Sequence, residues 1–228
     1  GLLEIMQLPY TGSGVLGCAL SMDKVRSKQV WENAGMPTPS FSVYRRGDEI
    51  ENLSDVTYPV MVKPAREGSS LGASRVSSMS ELASAIEIAL DYDDIVLVEK
   101  WVTGSEYTLG IVAGEALPIV KLETPREFYD FEAKYIADTT RYICPCGLSE
   151  SHIEQYTNLA VSAFKELGAS GWGRIDFIVD EQQPWLIELN TVPGMTDHSL
   201  VPIAAEADGL TFDELVVKIL GTSFGEVE

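Results

Sequence analysis

The sequence has little positive charge and no long apolar run. Sixteen lysines and arginines face 35 aspartates and glutamates, a net charge of −19. Such a surface repels the phosphates of DNA and RNA, so no nucleic acid partner is expected. No apolar stretch approaches the ~18 residues of a membrane span, and the first residues lack the pattern of a secretory signal, so no membrane partner is expected either. Cysteine is scarce: Cys18, Cys144 and Cys146 are all there are. Cys144-Pro-Cys146 has no second pair and no clustered histidine, which argues against a disulfide framework or a zinc site and for a reducing, cytoplasmic setting. Also absent is any G-x-x-x-x-G-K-[ST] phosphate loop. Gly12-Ser-Gly-Val-Leu-Gly17 fits G-x-G-x-x-G, but too few residues precede it for the first strand of a dinucleotide fold.

What is present suits a globular protein: 228 residues, 45% of them hydrophobic, enough for one large or two small domains. The acidity is uneven. Residues 1–80 hold eight basic and eight acidic side chains, so residues 81–228 carry the whole excess and the first third is where an anion would find lysines. The chain opens on Gly1, and GLLEIMQLPYTG reads as the last helix and strand of something already under way, so an upstream part is expected to be missing.

Three capping boxes predict helix starts: Ser78-x-x-Glu81, Ser151-x-x-Glu154 and Thr211-x-x-Glu214, each followed by apolar residues at helical spacing. A fourth helix is predicted from about Ser21 to Ala34, stopping at Gly35. Between them YPVMVKP, DIVLVEKW, EYTLGIVA, ALPIVKL, GRIDFIVD and PWLIELN read as strands. The class is α+β. A subdomain boundary is placed at VTGSE, residues 102–106. Residues 124–150 show no long periodicity, and a loop of that length is usually functional or disordered.

The stretch RIDFIVDEQQPWLIELN, residues 174–190, reads as a hairpin whose apolar surface is interrupted by Asp176, Glu188 and Asn190. With the turn centred on Gln182, Asp176 lies opposite Glu188 and Arg174 opposite Asn190, so all three interrupting residues share a face. Two carboxylates ~4 Å apart repel by ~4 kcal/mol at an effective dielectric near 20. A shared proton or a divalent cation compensates, unless the face is merely solvated. The asparagine favours the cation, because an amide oxygen is a hard neutral ligand, and oxygen-only sites suit Mg²⁺ or Mn²⁺ bridging phosphates. For the phosphate, YPVMVKPAREGSSLG delivers Lys63 at a strand end, followed by glycine- and serine-rich backbone able to fold over an anion. Lys24, in SMDK, is a second candidate cation. IVLVEKWV, residues 95–102, bridges the two regions and is a plausible seat for an adenine ring, with core packing of Trp101 as the alternative.

MDK, VKPAREGSSLG, VEKW, EFYDFEAKY, GWGRIDF, IELNTVPGMT and HSLVP occur in the order found in the D-alanine:D-alanine ligases of the ATP-grasp superfamily, and the chain resembles that family from about Leu8 to Leu220. The resemblance implies an ATP-grasp fold, two α+β subdomains clasping ATP: residues 1–20 a remnant of an N-terminal domain and linker, 21–101 the central subdomain, 102–228 the C-terminal subdomain with the metal site and a substrate lid. It implies an enzyme that joins two D-alanines through an acyl phosphate for peptidoglycan synthesis. By motif match Lys24 and Lys63 contact the phosphates, Lys134 approaches the nucleotide or its phosphates, Glu99, Lys100 and Val102 surround the adenine and Glu106 holds a ribose hydroxyl. Asp176, Glu188 and Asn190 bind two Mg²⁺ or Mn²⁺ ions. Arg174 and the Gly194 backbone N–H face the oxyanion, Ser199 and Leu200 hold the second substrate, and Ser69 with Tyr135 closes the lid. With Tyr135 where relatives making D-alanyl-D-lactate carry histidine, a second D-alanine is expected rather than a hydroxy acid. The family's N-terminal domain has no counterpart in these residues, so impaired ligation is expected of the chain alone, and a homodimer of the complete enzyme. Two alternatives remain open: a non-catalytic Mg-ATP-binding fragment, and another ATP-grasp carboxylate–amine ligase.

Overall fold

The computed structural model describes residues 1–124, 140–196 and 198–224. Two antiparallel sheets organise them. The first has β1 (Phe41–Arg45), β2 (Val60–Pro64), β3 (Ser74–Val76) and β4 (Ile95–Lys100) in the order β1-β4-β2-β3. The second has β5 (Ser105–Val112), β6 (Glu115–Ala116), β7 (Val120–Glu123), β8 (Arg141–Ile143), β9 (Trp172–Val179) and β10 (Pro184–Asn190), ordered β10-β9-β5-β7-β8 with β6 beside β5.

Period-two alternation sorts each strand between a core face and a second face. In the first sheet Val60, Val62, Val96 and Val98 pack on Leu82, Ile86 and Ala89 of α4 (Met79–Leu90). Met61, Lys63, Leu97 and Glu99 are therefore turned the other way. In the second sheet Leu109, Ile111, Ile175 and Phe177 pack on Ala163 and Phe164 of α5 (Glu150–Glu166). The opposite face carries Val112, Val120 and Leu122 against α6 (Leu200–Ala207) and α7 (Phe212–Gly221).

Helix α3 (Lys24–Asn33) joins the two halves. Its inner face presents Val25, Lys28 and Trp31, all buried. Val25 packs with Leu97 of the first sheet, whereas Trp31 belongs to the core of the second and donates its indole N–H to Ala163 O at 3.0 Å.

Several expectations hold and some need correction. Thr211 and Glu214 form the reciprocal capping box at the start of α7. The helix predicted from about Ser21 to Ala34 is α3, which starts three residues later than expected, at Lys24, because Asp23 is its extended N-cap and accepts from Arg26 N; a further helix, α2 (Val15–Met22), precedes it. Helix α5 begins at Glu150, capped by Ser149 accepting from His152 N, so Ser151 lies inside the helix and not at its cap. Ser78 is an N-cap whose side chain caps no helix N–H but meets Ser80 Oγ at 2.9 Å; Glu81 reaches back to Ser77 N. Within 124–150, strand β8 supplies regular structure that the aperiodic sequence did not suggest.

Candidate active site

A cleft of about 240 Å³ opens between the sheets. Its first wall is the face of β2 and β4 turned away from α4, carrying Met61, Lys63 and Glu99. Its second wall comes from β5, β9 and β10, with Glu106, Ile178, Ile187 and Glu188. The segment 100–104 links the walls: Trp101 N donates to Pro59 O, and Val102 is buried. Gly104 is required there, since a Cβ would stand 2.2 Å from Val179 O. Over the top runs 67–71, where Ser69 and Ser70 hold φ of 55° and 59°, a left-handed backbone costly for residues with a Cβ.

Lysines gather at one end. Lys24, the first residue of α3, places its Nζ 3.5 Å from Glu188 Oε2 and donates to the carbonyl of Glu67 in the covering loop. Lys63 pairs with Oε1 of Glu99. The other carboxylate oxygen of Glu99 lies 2.7 Å from Nζ of Lys28, a fully buried lysine that also donates to Thr38 Oγ1 at 2.7 Å. Burial disfavours the Glu99 carboxylate, but the charges of Lys28 and Lys63 outweigh it and hold the group at about 2. Lys28 is among the residues, with Thr38 and Thr108, that the sequence did not point to. One helical turn after Lys24, and flanked by Val25 and Trp31, it looks like any surface lysine, and only its i+3 spacing from those two apolar residues marks the buried face.

The hairpin register is the expected one: Asp176 opposes Glu188 and Arg174 opposes Asn190. Its tight end is centred slightly before Gln182, with Asp180 Oδ1 accepting from Gln182 N and Gln183 N, and a bulge at Ile187 restores the pairing beyond it. Asp176 is densely held. Arg174 donates Nε and Nη2 to its two oxygens at 2.8 and 2.7 Å, Asn190 Nδ2 donates at 3.0 Å, and Thr108 Oγ1 donates at 2.6 Å from the neighbouring strand. Among the described residues no three acids or histidines cluster to hold a metal; the acids here come as a pair, with an amide as third oxygen donor.

The cleft thus brings together Lys24, Lys63, Ser69, Glu99, Lys100, Val102 and Glu106 with Asp176, Glu188 and Leu200. Lys100 is exposed, its Nζ 6.0 Å above the Trp185 ring. Arg174 and Asn190 join the cleft through Asp176. Gly194 and Ser199 adjoin each other, since a Cβ on Gly194 would meet Ser199 Oγ at 2.9 Å. Lys134 and Tyr135 lie outside the described residues. Trp101 lines the cleft with Arg75 5.2 Å over its ring. No helix among the described residues is long and apolar enough to cross a membrane.

Comparison with known proteins gives a consistent result. The family model described as D-ala D-ala ligase C-terminus matches residues 30–221. A D-alanine–D-alanine ligase of Nitrosococcus oceani is 56% identical over 225 residues, covering 98% of this chain and 71% of the relative. A crystal structure of the D-alanine–D-alanine ligase from Bacillus anthracis superposes with a TM-score of 0.89 at 33% identity, over 98% of this chain and 74% of that one. A structure of the same enzyme complexed with ATP gives 0.87 at 30% identity, over 98% and 73%.

Proposed function

The chain belongs to the D-alanine–D-alanine ligase family, and from that premise we propose that it joins two D-alanines at the expense of ATP, making a dipeptide for peptidoglycan precursors in the cytoplasm. Residues 21–101 and 102–228 are the two halves of the clasp, and the cleft between the sheets is the ATP site. Adenine lies against Glu99, Lys100 and Val102, with Glu106 at the ribose, and Lys24 and Lys63 meet the phosphates. Lys134 joins them. The observation that carries this reading is the approach of Lys24 Nζ to Glu188 Oε2 across the cleft, 3.5 Å apart. A phosphate-seeking cation and a metal-seeking carboxylate share one place.

Asp176, Glu188 and Asn190 fit a pair of Mg²⁺ or Mn²⁺ ions, being hard oxygen donors on alternate register pairs and so on one sheet face. Asn190 would turn its amide, which now donates through nitrogen, to offer its oxygen. When bound, the ions supply positive charge that offsets the charge spread over a transferring phosphoryl group. The chain's own residues do the rest. The lysines orient the γ-phosphate toward the carboxylate of the first D-alanine, whose attack gives an acyl phosphate and ADP. The amine of the second D-alanine, placed by Ser199 and Leu200, then attacks the acyl carbon, and inorganic phosphate leaves. Arg174 and the Gly194 N–H donate to the tetrahedral oxyanion. By the resemblance Ser69 and Tyr135 would close the site against water, and the enzyme would act as a homodimer.

The test supplies ATP, Mg²⁺ and D-alanine and follows dipeptide and inorganic phosphate. Equal amounts of D-alanyl-D-alanine and phosphate are expected. ATP turnover indifferent to D-alanine, or dipeptide formed from other amino acids in preference, would overturn the reading.

A further inference from the structure

Helix α3 carries two lysines one turn apart, and they meet different fates. Lys24 reaches the mouth of the cleft, whereas Lys28 is sealed from solvent between the two sheets. A buried ammonium is costly unless paired, and this one has two partners that point in different directions. Toward the first sheet it meets Glu99 Oε2 at 2.7 Å. Toward the second it donates to Thr38 Oγ1, which in turn donates to Leu186 O at 2.9 Å, while Leu186 N donates to Pro37 O at 2.9 Å. Leu186 immediately precedes the bulge that brings Glu188 opposite Asp176. The Phe41 ring lies 6.0 Å from the ammonium.

Glu99 is thereby shared. One oxygen faces Lys28 and the other faces Lys63. With all three ionised the cluster carries one net positive charge; without Lys28, Lys63 and Glu99 would form a closed neutral pair. We propose that Lys28 is a positioning residue for nucleotide binding: by taking one oxygen of Glu99 it keeps that carboxylate from neutralising Lys63, so that Lys63 retains charge for a phosphate. The inference rests on the reading of Lys63 as a phosphate ligand. It assigns no contact between Lys28 and the nucleotide.

Calorimetric titration of the protein with ATP and, separately, with adenosine, both in the same MgCl₂, isolates the effect, because adenosine lacks the phosphates Lys63 serves. K28M is expected to weaken ATP binding by about tenfold or more while changing adenosine binding less than about twofold. In an E99Q background the same change is expected to have almost no effect on ATP, since the carboxylate it restrains is gone. ATP and adenosine weakening together would reduce Lys28 to a support of the fold and overturn the proposal. So would an undiminished ATP loss in K28M/E99Q relative to E99Q, a comparison that stands even if K28M alone does not fold. K63M separates the two layers: if it leaves the preference for ATP over adenosine intact, the phosphate role of Lys63 fails, whereas a loss in K63M with none in K28M refutes the role of Lys28 alone.

Discussion

Arg174 grips Asp176 from two residues away on the same strand, with Nε and Nη2 on the two carboxylate oxygens at 2.8 and 2.7 Å. Alternation makes this possible, since residues i and i+2 of a strand share a face. A cation bound at Asp176 must compete with that guanidinium, and the same guanidinium is assigned to the oxyanion of the reaction. R174M therefore has opposite expected effects on two measurements. Turnover of D-alanine falls by about 10²–10³, the cost of removing one oxyanion donor. Mn²⁺ affinity, read by electron paramagnetic resonance, stays equal or rises. A weaker Mn²⁺ site would show that Arg174 organises the metal ligands and does not compete with the ion.

The Glu99 carboxyl, held at about 2 against an ordinary value of 4.5, makes stability depend on acid. Its folded-state value is depressed, so its contribution is complete above pH 4.5 and disappears as pH falls from there toward 2. The full effect is about 3 kcal/mol. Urea unfolding at pH 5.5 and pH 3 is expected to show a steeper loss for the native protein than for E99Q, by about 2 kcal/mol, since the folded group is still largely ionised at pH 3. Identical slopes would place the acid sensitivity elsewhere among the many carboxylates.

Gly17, the third glycine of Gly12-Ser-Gly-Val-Leu-Gly17, packs helix against loop. It is buried in α2, and a Cβ there would stand 2.6 Å from Gly168 O and 3.1 Å from Ala169 Cα, both backbone atoms that cannot swing aside. G17A is expected to lower stability by about 1–3 kcal/mol, as overpacking does, and to leave ATP affinity unchanged in the folded fraction. Thermal unfolding with and without ATP checks both halves. A change in ATP affinity without a change in melting temperature would restore a nucleotide role to the motif.

The hairpin shows why part of this site was legible in the sequence. Side chains in a strand repeat every two residues, so a turn position near Gln182 fixes which polar residues face one another, and a single bulge at Ile187 was enough to keep Asp176 opposite Glu188. Strands β3 and β8, three residues each, are too short for any period to show. Helix α2 went unread because its eight residues carry no side-chain N-cap and bury only Gly17 and Ser21, whereas α3 has Asp23 accepting from Arg26 N to mark its start. Lys28, Thr38 and Thr108 were illegible for a different reason. Their roles depend on which elements become neighbours in three dimensions, and nothing local distinguishes a lysine that pairs across two sheets from one in solvent.

Thr108 gives the sharpest test of that tertiary layer. Buried at 1% exposure on β5, it sits directly opposite Asp176, its hydroxyl oxygen 2.6 Å from Oδ1 and 3.2 Å from Ile175 O. The single hydroxyl hydrogen can serve only one acceptor, and the shorter, charge-assisted contact takes it. Valine has nearly the same shape and no donor, so T108V leaves the packing in place and removes one of the bonds that fix the carboxylate. Partners of this kind typically alter metal affinity about 10–100-fold, and a weakening of Mn²⁺ binding toward the lower end of that range is expected, because Arg174 and Asn190 still hold Asp176. The melting temperature without metal should move little. If T108V binds Mn²⁺ as tightly as the native protein, the hydroxyl is a passive filler and the orientation of Asp176 is set by Arg174 and Asn190 alone.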